Sequence, residues 1–506
     1  MAYDVKSIAP TSVQLNRGRH KIILEYDEVT KDNVLEVLQK AIPWHTRNVK
    51  DCEYLIKYFL GDQDILRRQS PATSSINNQV VVNYALPITR EIIGYTFGNP
   101  IEYVQKDVGK RADVEKLTDV YDHVGAYLKD TITATYASIC GVGYQITLPS
   151  DEISMDYVPE IPFKIEALHP CNTFCVFSNQ VGNPLIMSCS IIHTENDGDT
   201  YICYTDNSVF TVTNHQKNVE EEPNAIGLNP ITMFENSIFM TGDWEQAISV
   251  MNASNVVASD SLNDIEGTIR SLLIVLGAEF EDDGTELSDI KTKRLLTLAS
   301  PNGTNVDAKF ISPQIDSSSI ENIREYLERA RNVITGIPDR QTASGGDTGT
   351  AVLNRNGWTD IEIVARLKEL FFKNAKRTQM NVAVRILQLV GMVSPEMNPI
   401  DVNITIGRHT TDNLQTKTQA FSTLVATGEL ATIDCLEMSG LTNRVNEVVE
   451  RGEQAKAEAE AKATIKTLAN SAVNAQSQSE TVEKDAEPEE DSEDTKKGND
   501  SKKEWL

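Results

Sequence analysis

Apolar and polar positions follow two periods along this chain, and the switches between them mark its organisation. Over residues 30–60, Leu35, Leu38 and Ile42 form one helical stripe, and Val49, Cys52, Leu55, Ile56 and Phe59 form another. Pro43 lies between them and predicts two helices rather than one. Further on, Ile88, Ile92 and Tyr95 share a helix face that runs into Thr96-Phe97-Gly98-Asn99-Pro100. Gly98 is placed for a left-handed C-terminal residue, and Pro100 then prevents the helix from resuming, so Ile101–Tyr103 should be extended. A third helical segment spans residues 114–140, with Val120, Val124, Leu128, Ile132 and Tyr136 along one side.

From Gly141 the period shortens. Runs such as GVGYQITLP, IPFKIEALHP, CNTFCVFSN, PLIMSCSIIHT and TYICYTDNSVFTVT are short, β-rich and separated by Pro, Asn, Asp and Gly, which predicts mainly antiparallel strands. Helical spacing returns from Asp243 to about Ile274, carried by Trp244, Ala247, Met251, Ala258, Leu262 and Ile265. Ala253, Ser254, Ala258 and Ser259 give that helix small side chains for close approach, and Asp260, Asn263, Asp264 and Glu266 suggest one wet face. A strand at Leu272–Leu276 should follow. Residues 277–316 read as turns and short strands, and a second stripe begins at Ser317 with Ile320, Ile323, Leu327, Ala330 and Ile334. After a Gly-rich stretch, Trp358 to about Leu389 reads as one long helix. Its Arg366, Lys368, Lys373, Lys376 and Arg377 suit a solvated face, with transient phosphate contact as the alternative. Residues 400–460 predict a strand in IDVNITIGR and helices around 416–427 and 443–456.

Composition narrows the class of function. The 506 residues are enough for roughly three or four domains, and 40% apolar content is enough for their cores. A formal charge of −27 argues against a protein that coats nucleic acid, which needs a basic footprint. It suits a surface that nucleic acid passes without sticking. The seven cysteines, an odd number with no secretory h-region ahead of them, fit a reducing compartment, and no run of eighteen apolar residues suggests a membrane span. The last thirty residues lack an apolar stripe; within them residues 481–495 hold eight acidic residues against one lysine, which predicts a disordered acidic tail.

Candidate chemistry is sparse. Gly345-Gly346-Asp347-Thr348-Gly349-Thr350 lacks the Gly-Lys-Ser/Thr of a phosphate-binding loop and follows a helix instead of a strand. Cys171, Cys175, Cys189 and Cys203 could supply four thiolates, but their spacing forms no pair of zinc knuckles, and small apolar side chains in strands account for them better. His45 has no ligand-spaced partner and reads as structural; His169, His193 and His215 are scattered. Glu281-Asp282-Asp283 lacks the spacing of a calcium loop and reads as an exposed turn. No catalytic residue, cofactor or metal site is expected.

The order of these blocks over roughly residues 30–450 resembles phage portal proteins of the group that includes the SPP1 portal. The resemblance is carried by Asn83 through the Phe97-Gly98-Asn99-Pro100 turn, by Glu166–Pro170 ahead of the Phe174–Phe177 strand, and by DWEQAISVMNASNVVASDSLNDIE. Paired helices around a β insert, the TGIPD turn and the Gly-rich loop before a long helix complete it.

That resemblance implies an α+β portal fold with a mixed α/β wing, a helical stem, a small α/β clip, a long wing helix and a mainly helical crown. The expected division is an N-terminal arm (1–29), first part of the wing (30–240), stem helix (241–272), clip (273–316), returning stem helix (317–338), channel loop (339–357), long wing helix (358–399), crown (400–460) and acidic tail (461–506). It further implies a ring of twelve subunits, thirteen being possible in isolation, at one capsid vertex of the virion, built in the host cytoplasm. Double-stranded DNA would pass through it, and terminase, scaffolding and major capsid proteins and a head–tail connector would be its partners. Ser344, Gly345, Gly346, Gly349, Ala351, Val352 and Leu353 would form the channel loop. Arg340 and Arg355 flank it, placed for brief phosphate contacts or for ordinary surface roles. The alternatives are a scaffold-like capsid-interaction protein and, without a P-loop or carboxylate cluster to favour it, a nucleic-acid enzyme.

Overall fold

The computed structural model describes residues 18–69, 76–106, 111–151, 153, 159–194, 198–213, 218–269, 272–276, 307–311, 317–338, 358–408, 414–428, 430–439, 441, 448–449, 451–452 and 454–465. The chain divides into two units at Thr410/Thr411. The first is α+β and holds every strand among the described residues. Its first helix, α1, spans Val34–Phe59 without interruption, against the predicted break. Pro43 and Gln39, whose carbonyl loses its amide partner to the proline, both lie on the exposed side, where water replaces the bond. One half of α1 packs Val34, Val37, Leu38 and Ala41 on a sheet, and the other packs Cys52, Leu55 and Tyr58 on helices.

Helix α2 (Ala85–Phe97) ends at Gly98, which is right-handed at φ −70°, not left-handed as its position suggested. The hydroxyl of Tyr127 donates to the carbonyls of both Phe97 and Gly98, doing the work a left-handed cap would have done. Pro100 ends the helix, and an extended strand, β2 (Ile101–Gln105), follows as expected. The segment 114–140 divides into α3 (Arg111–Val124) and α4 (Ala126–Cys140) at left-handed Gly125.

The β region is antiparallel apart from one pair. β3 (Val142–Pro149) lies between β4 (Phe163–Leu168) and β10 (Ile231–Glu235). A six-stranded sheet takes the order β1-β5-β6-β7-β8-β9, built from Ile22–Leu24, Thr173–Ser178, Leu185–Thr194, Gly198–Tyr204, Ser208–Thr213 and Asn218–Pro223. The exception is β1, which pairs parallel with β5. Cys175, Cys189 and Cys203 are buried strand residues, as expected, whereas Cys171 sits before β5 and is only partly buried. Cys189 faces Cys203 across β6 and β7, with both thiols free and Sγ atoms 3.3 Å apart.

Helix α5 (Ile248–Ile269) leads into β11 (Leu272–Leu276), which pairs with β12 (Asp307–Ile311) before α6 (Ser317–Thr335) returns. The long helix α7 spans Trp358–Leu389, 32 residues and about 48 Å, and its outer end packs with α3 and β13 (Val402–Ile406). β13 pairs antiparallel with β2, Tyr103 lying opposite Ile404, so the strand after the FGNP turn closes on one from the far end of the first unit. The second unit contains α8 (Leu414–Thr427) and α9 (Thr432–Ser439), the latter unforeseen in the sequence, and helical residues 454–465. Residues 466–506 of the predicted acidic tail, His215 and Glu281–Asp283 lie outside the described residues.

Two expectations follow from this packing. His45 is buried against Phe174, its Nε2 2.9 Å from the Cys171 carbonyl, and burial pushes its pKa down from 6.5 to about 4. The unfolded chain binds that proton first, so His45's contribution is complete above pH 6.5 and is lost as pH falls to about 4, by roughly 3 kcal/mol. Melting temperatures over this window should fall less steeply for His45→Gln than for the wild type. Gly141 is left-handed at φ +82°, and an added Cβ would lie 1.8 Å from the Met240 carbonyl oxygen, whereas Gly94 in α2 has open space around it. Gly141→Ala should cost about 2 kcal/mol or more, while Gly94→Ala should be neutral or gain up to about 1 kcal/mol, both read by chemical denaturation.

Candidate functional site

Three consecutive residues, Asp243-Trp244-Glu245, launch α5, and each is locked into the body by a different interaction. Trp244 is fully buried, stacks on Tyr58 at 5.5 Å and donates its indole N–H to Thr89 Oγ1 at 3.0 Å. Glu245 accepts from Arg19 Nη2 at 2.8 Å and from the backbone N–H groups of Gly18 and Gly242 at 3.0 and 2.9 Å. Asp243 accepts Lys368 Nζ on both oxygens, at 2.9 and 2.7 Å, together with the Ser138 hydroxyl and the Asn236 amide. Buried ions stay charged only when paired and hydrogen-bonded, and these are.

Lys368 belongs to α7, and eight residues further along the same helix Lys376 is fully buried against Asp130, at 2.8 Å, with Gln145 donating to the same oxygen. The two lysines therefore face inward, which corrects their reading as part of a solvated or phosphate-contacting face. Arg366 and Lys373 remain on the outside in ion pairs with Glu362 and Glu369 of their own helix. The hydroxyl of Tyr95 also donates to Glu362, whose carboxyl sits below the ordinary range. Burial works to raise it, but the bonds from Arg366 and Tyr95 and the charge of Arg408 outweigh that.

The end of α6 meets the start of α7 at Gly336. This residue is left-handed at φ +68°, and a Cβ there would come within 2.8 Å of Val364 and 3.6 Å of the Asp360 carbonyl. Ile337 and Val364 pack on the same cluster as Trp244, and Arg331 lies 3.8 Å over the ring of Tyr84. The described residues on either side of 339–357 are thus close together at Gly336, Asp360 and Val364. Ser344, Gly345, Gly346, Gly349, Ala351, Val352, Leu353, Arg340 and Arg355 all lie within that stretch, outside the described residues. Sequence reasoning missed the roots that hold it: Gly336, Val364 and the Lys368–Asp243 pair. The Gly of TGIPD was a visible signal for the first, but a lysine's burial leaves no mark in periodicity.

Along α5, α6 and the start of α7, apolar side chains meet solvent. Val256, Leu262 and Ile265 of α5, Ile323, Val333 and Ile334 of α6, and Leu367 of α7 are all exposed; Tyr326 and Leu370 are 71% and 66% exposed. Elsewhere, a groove of about 770 Å³ between α1 and the six-stranded sheet holds His45, His169 and His193, the last bonded to Asp199. No group of three or more His, Cys, Asp or Glu able to hold a metal occurs among the described residues, and no described helix is long and apolar enough to cross a membrane.

The family model for phage portal proteins of the SPP1 Gp6-like type matches residues 38–463. The chain belongs to that family. A portal function and an α+β portal chain, both implied by the sequence resemblance, follow from membership over most of its length. The family is a structural one. No curated protein matches the chain. Among solved structures, the neck of a native GTA particle computed with C12 symmetry matches at 11% identity and a TM-score of 0.42, covering 73% of this chain and 97% of that one.

The portal body should depend on the pairing of Lys368. Lys368→Met leaves Asp243 buried without its cation and is expected to cost about 3–5 kcal/mol. Adding Asp243→Asn, which keeps the Ser138 and Asn236 contacts available, should recover at least half of that loss in urea denaturation.

Proposed function

We propose that this portal chain closes into a ring of twelve copies, thirteen being accessible in isolation, at one vertex of the capsid. Its axial channel admits double-stranded DNA during packaging and releases it during infection. Family membership over residues 38–463 carries the reading. The exposed apolar residues of α5, α6 and α7 support it, because a lone chain would leave to water a surface that neighbouring copies in a ring would cover. In this reading α5 and α6 are the stem, residues 273–316 the clip, α7 the long wing helix and residues 400–460 the crown. The clip meets terminase and later a head–tail connector, while scaffolding and capsid proteins meet the outer body. ATP hydrolysis belongs to terminase, and the portal supplies a passage without a catalytic centre of its own.

Ser344 to Leu353 form the channel loop in this reading. The support is geometric: the roots at Gly336 and Val364 are neighbours, as an excursion that goes out and back requires. A net charge of −27 keeps passing phosphates from being held. Native mass spectrometry should show a closed oligomer of twelve or thirteen copies; a stable monomer or dimer under all assembly conditions would favour the capsid-interaction reading instead. Shortening Gly345–Gly349, a stretch that spans at most about 17 Å when extended, should leave rings intact but reduce the packaged DNA length in particles. Wild-type packaging and retention in particles with normal ring incorporation would remove the loop from this role.

A further inference from the structure

Helix α5 has two unlike halves. Ile248 and Met251 are fully buried beside Trp244 in an apolar cluster. Beyond them the inward positions turn polar: Asn255 and Ser259 are buried, while Val256, Leu262 and Ile265 are exposed. The partner of this polar face is the run before α2, which belongs to no helix or strand. The Val82 N–H donates to Asn255 Oδ1 at 2.8 Å, the Val80 N–H to Ser259 Oγ at 2.9 Å and the Asn78 N–H to Asn263 Oδ1 at 2.7 Å.

The spacing explains why the three bonds form together. Acceptors four residues apart on a helix rise about 6 Å per step. Alternate N–H groups of an extended chain lie about 6.6 Å apart on one side. The helix therefore engages the run's backbone as a neighbouring strand would, and one side chain of the run adds to it, the Asn78 amide donating to Glu266 Oε2 at 2.9 Å. On the other side of the run, the Asn77 and Gln79 amides donate to the Arg68 carbonyl, and Arg68 in turn pairs with Asp260 of α5 at 2.6 Å.

We propose that residues 76–82 form a strap clasping the C-terminal half of α5, and that this clasp opens without disturbing the helix's buried N-terminal half. The inference stands on these bonds and not on the portal reading. The three backbone bonds join neutral groups, and the strap residues are half-buried, so opening hands each N–H to water. Opening the N-terminal half would instead expose Trp244, Ile248 and Met251 and unpair Asp243 and Glu245. Tyr58 and Asp64 hold Asn252, so the bend in such a movement falls beyond it, and the bond from the Asn255 amide to Gln63 Oε1 opens with the clasp.

Proline separates this clasp from ordinary packing, because only alternate amides are engaged. Val80→Pro removes a donor that α5 uses; Val81→Pro removes one it does not. In residue-resolved hydrogen exchange on the full-length assembled protein, the amides of 78, 80 and 82 should exchange more slowly than those of 79 and 81. Val80→Pro and Ser259→Ala should each speed exchange across residues 256–266 by about tenfold, leaving 248–251 unchanged, and Val81→Pro should match the wild type. Equal protection of residues 79–82, equal effects of the two prolines, or a parallel rise at 248–251 would each overturn the proposal. If Val80→Pro does not fold, Ser259→Ala decides on the same criteria.

Discussion

Burying a charge far from water is tolerable only when an opposite charge and full hydrogen bonding meet it, and the body of this protein is organised around that requirement. Asp243 and Glu245 flank a buried tryptophan at the point where the chain turns into α5. Their cations come from either side of them in the sequence, Arg19 near the start of the described chain and Lys368 from α7. Each acid is accommodated only once its own distant segment has arrived. Lys376, two turns beyond Lys368, repeats the arrangement with Asp130 of α4. The long helix is thereby held at two points on one face. Its register against α4 and against the base of α5 is set by charge, with the apolar contacts around it, such as Phe372 between Phe97 and Phe234, filling the space.

This construction has a consequence for a portal. The anchored parts are the base of α5, the end of α6 and the start of α7. Away from the anchor, α5 and α6 leave apolar side chains exposed and rely on polar contacts within the chain. A subunit built this way has a rigid hub and helices whose outer reaches are completed by something else. A ring of identical copies is the reading that family membership favours.

The close approach of backbone to backbone at the hub depends on glycine. Gly141, Gly143 and Gly242 leave no room for a Cβ where α4 ends, β3 begins and the chain enters the Asp243-Trp244-Glu245 triplet. The Asp243 N–H can then reach the Ser138 carbonyl at 2.8 Å, which positions the same carboxylate for Lys368.

By itself the sequence determined the local periods. The long helix from Trp358 to Leu389, the strands from Gly141 onward, the strand at Leu272–Leu276 and the turn ending at Pro100 were all legible, because each depends on residues close together in the chain. The family, too, was legible from the order of those blocks. Tertiary structure alone decided the rest. Pro43 reads as a break, yet α1 continues, because the lost bond faces water. Gly98 reads as a left-handed cap, yet a tyrosine hydroxyl from α4 satisfies the same carbonyls. Lys368 and Lys376 read as surface, Asn263 as part of a wet face and Ser259 as a small residue for close approach, because polarity in a sequence says nothing about where a partner will be found. Their partners lie more than a hundred residues away, and only the folded chain brings them within bonding distance.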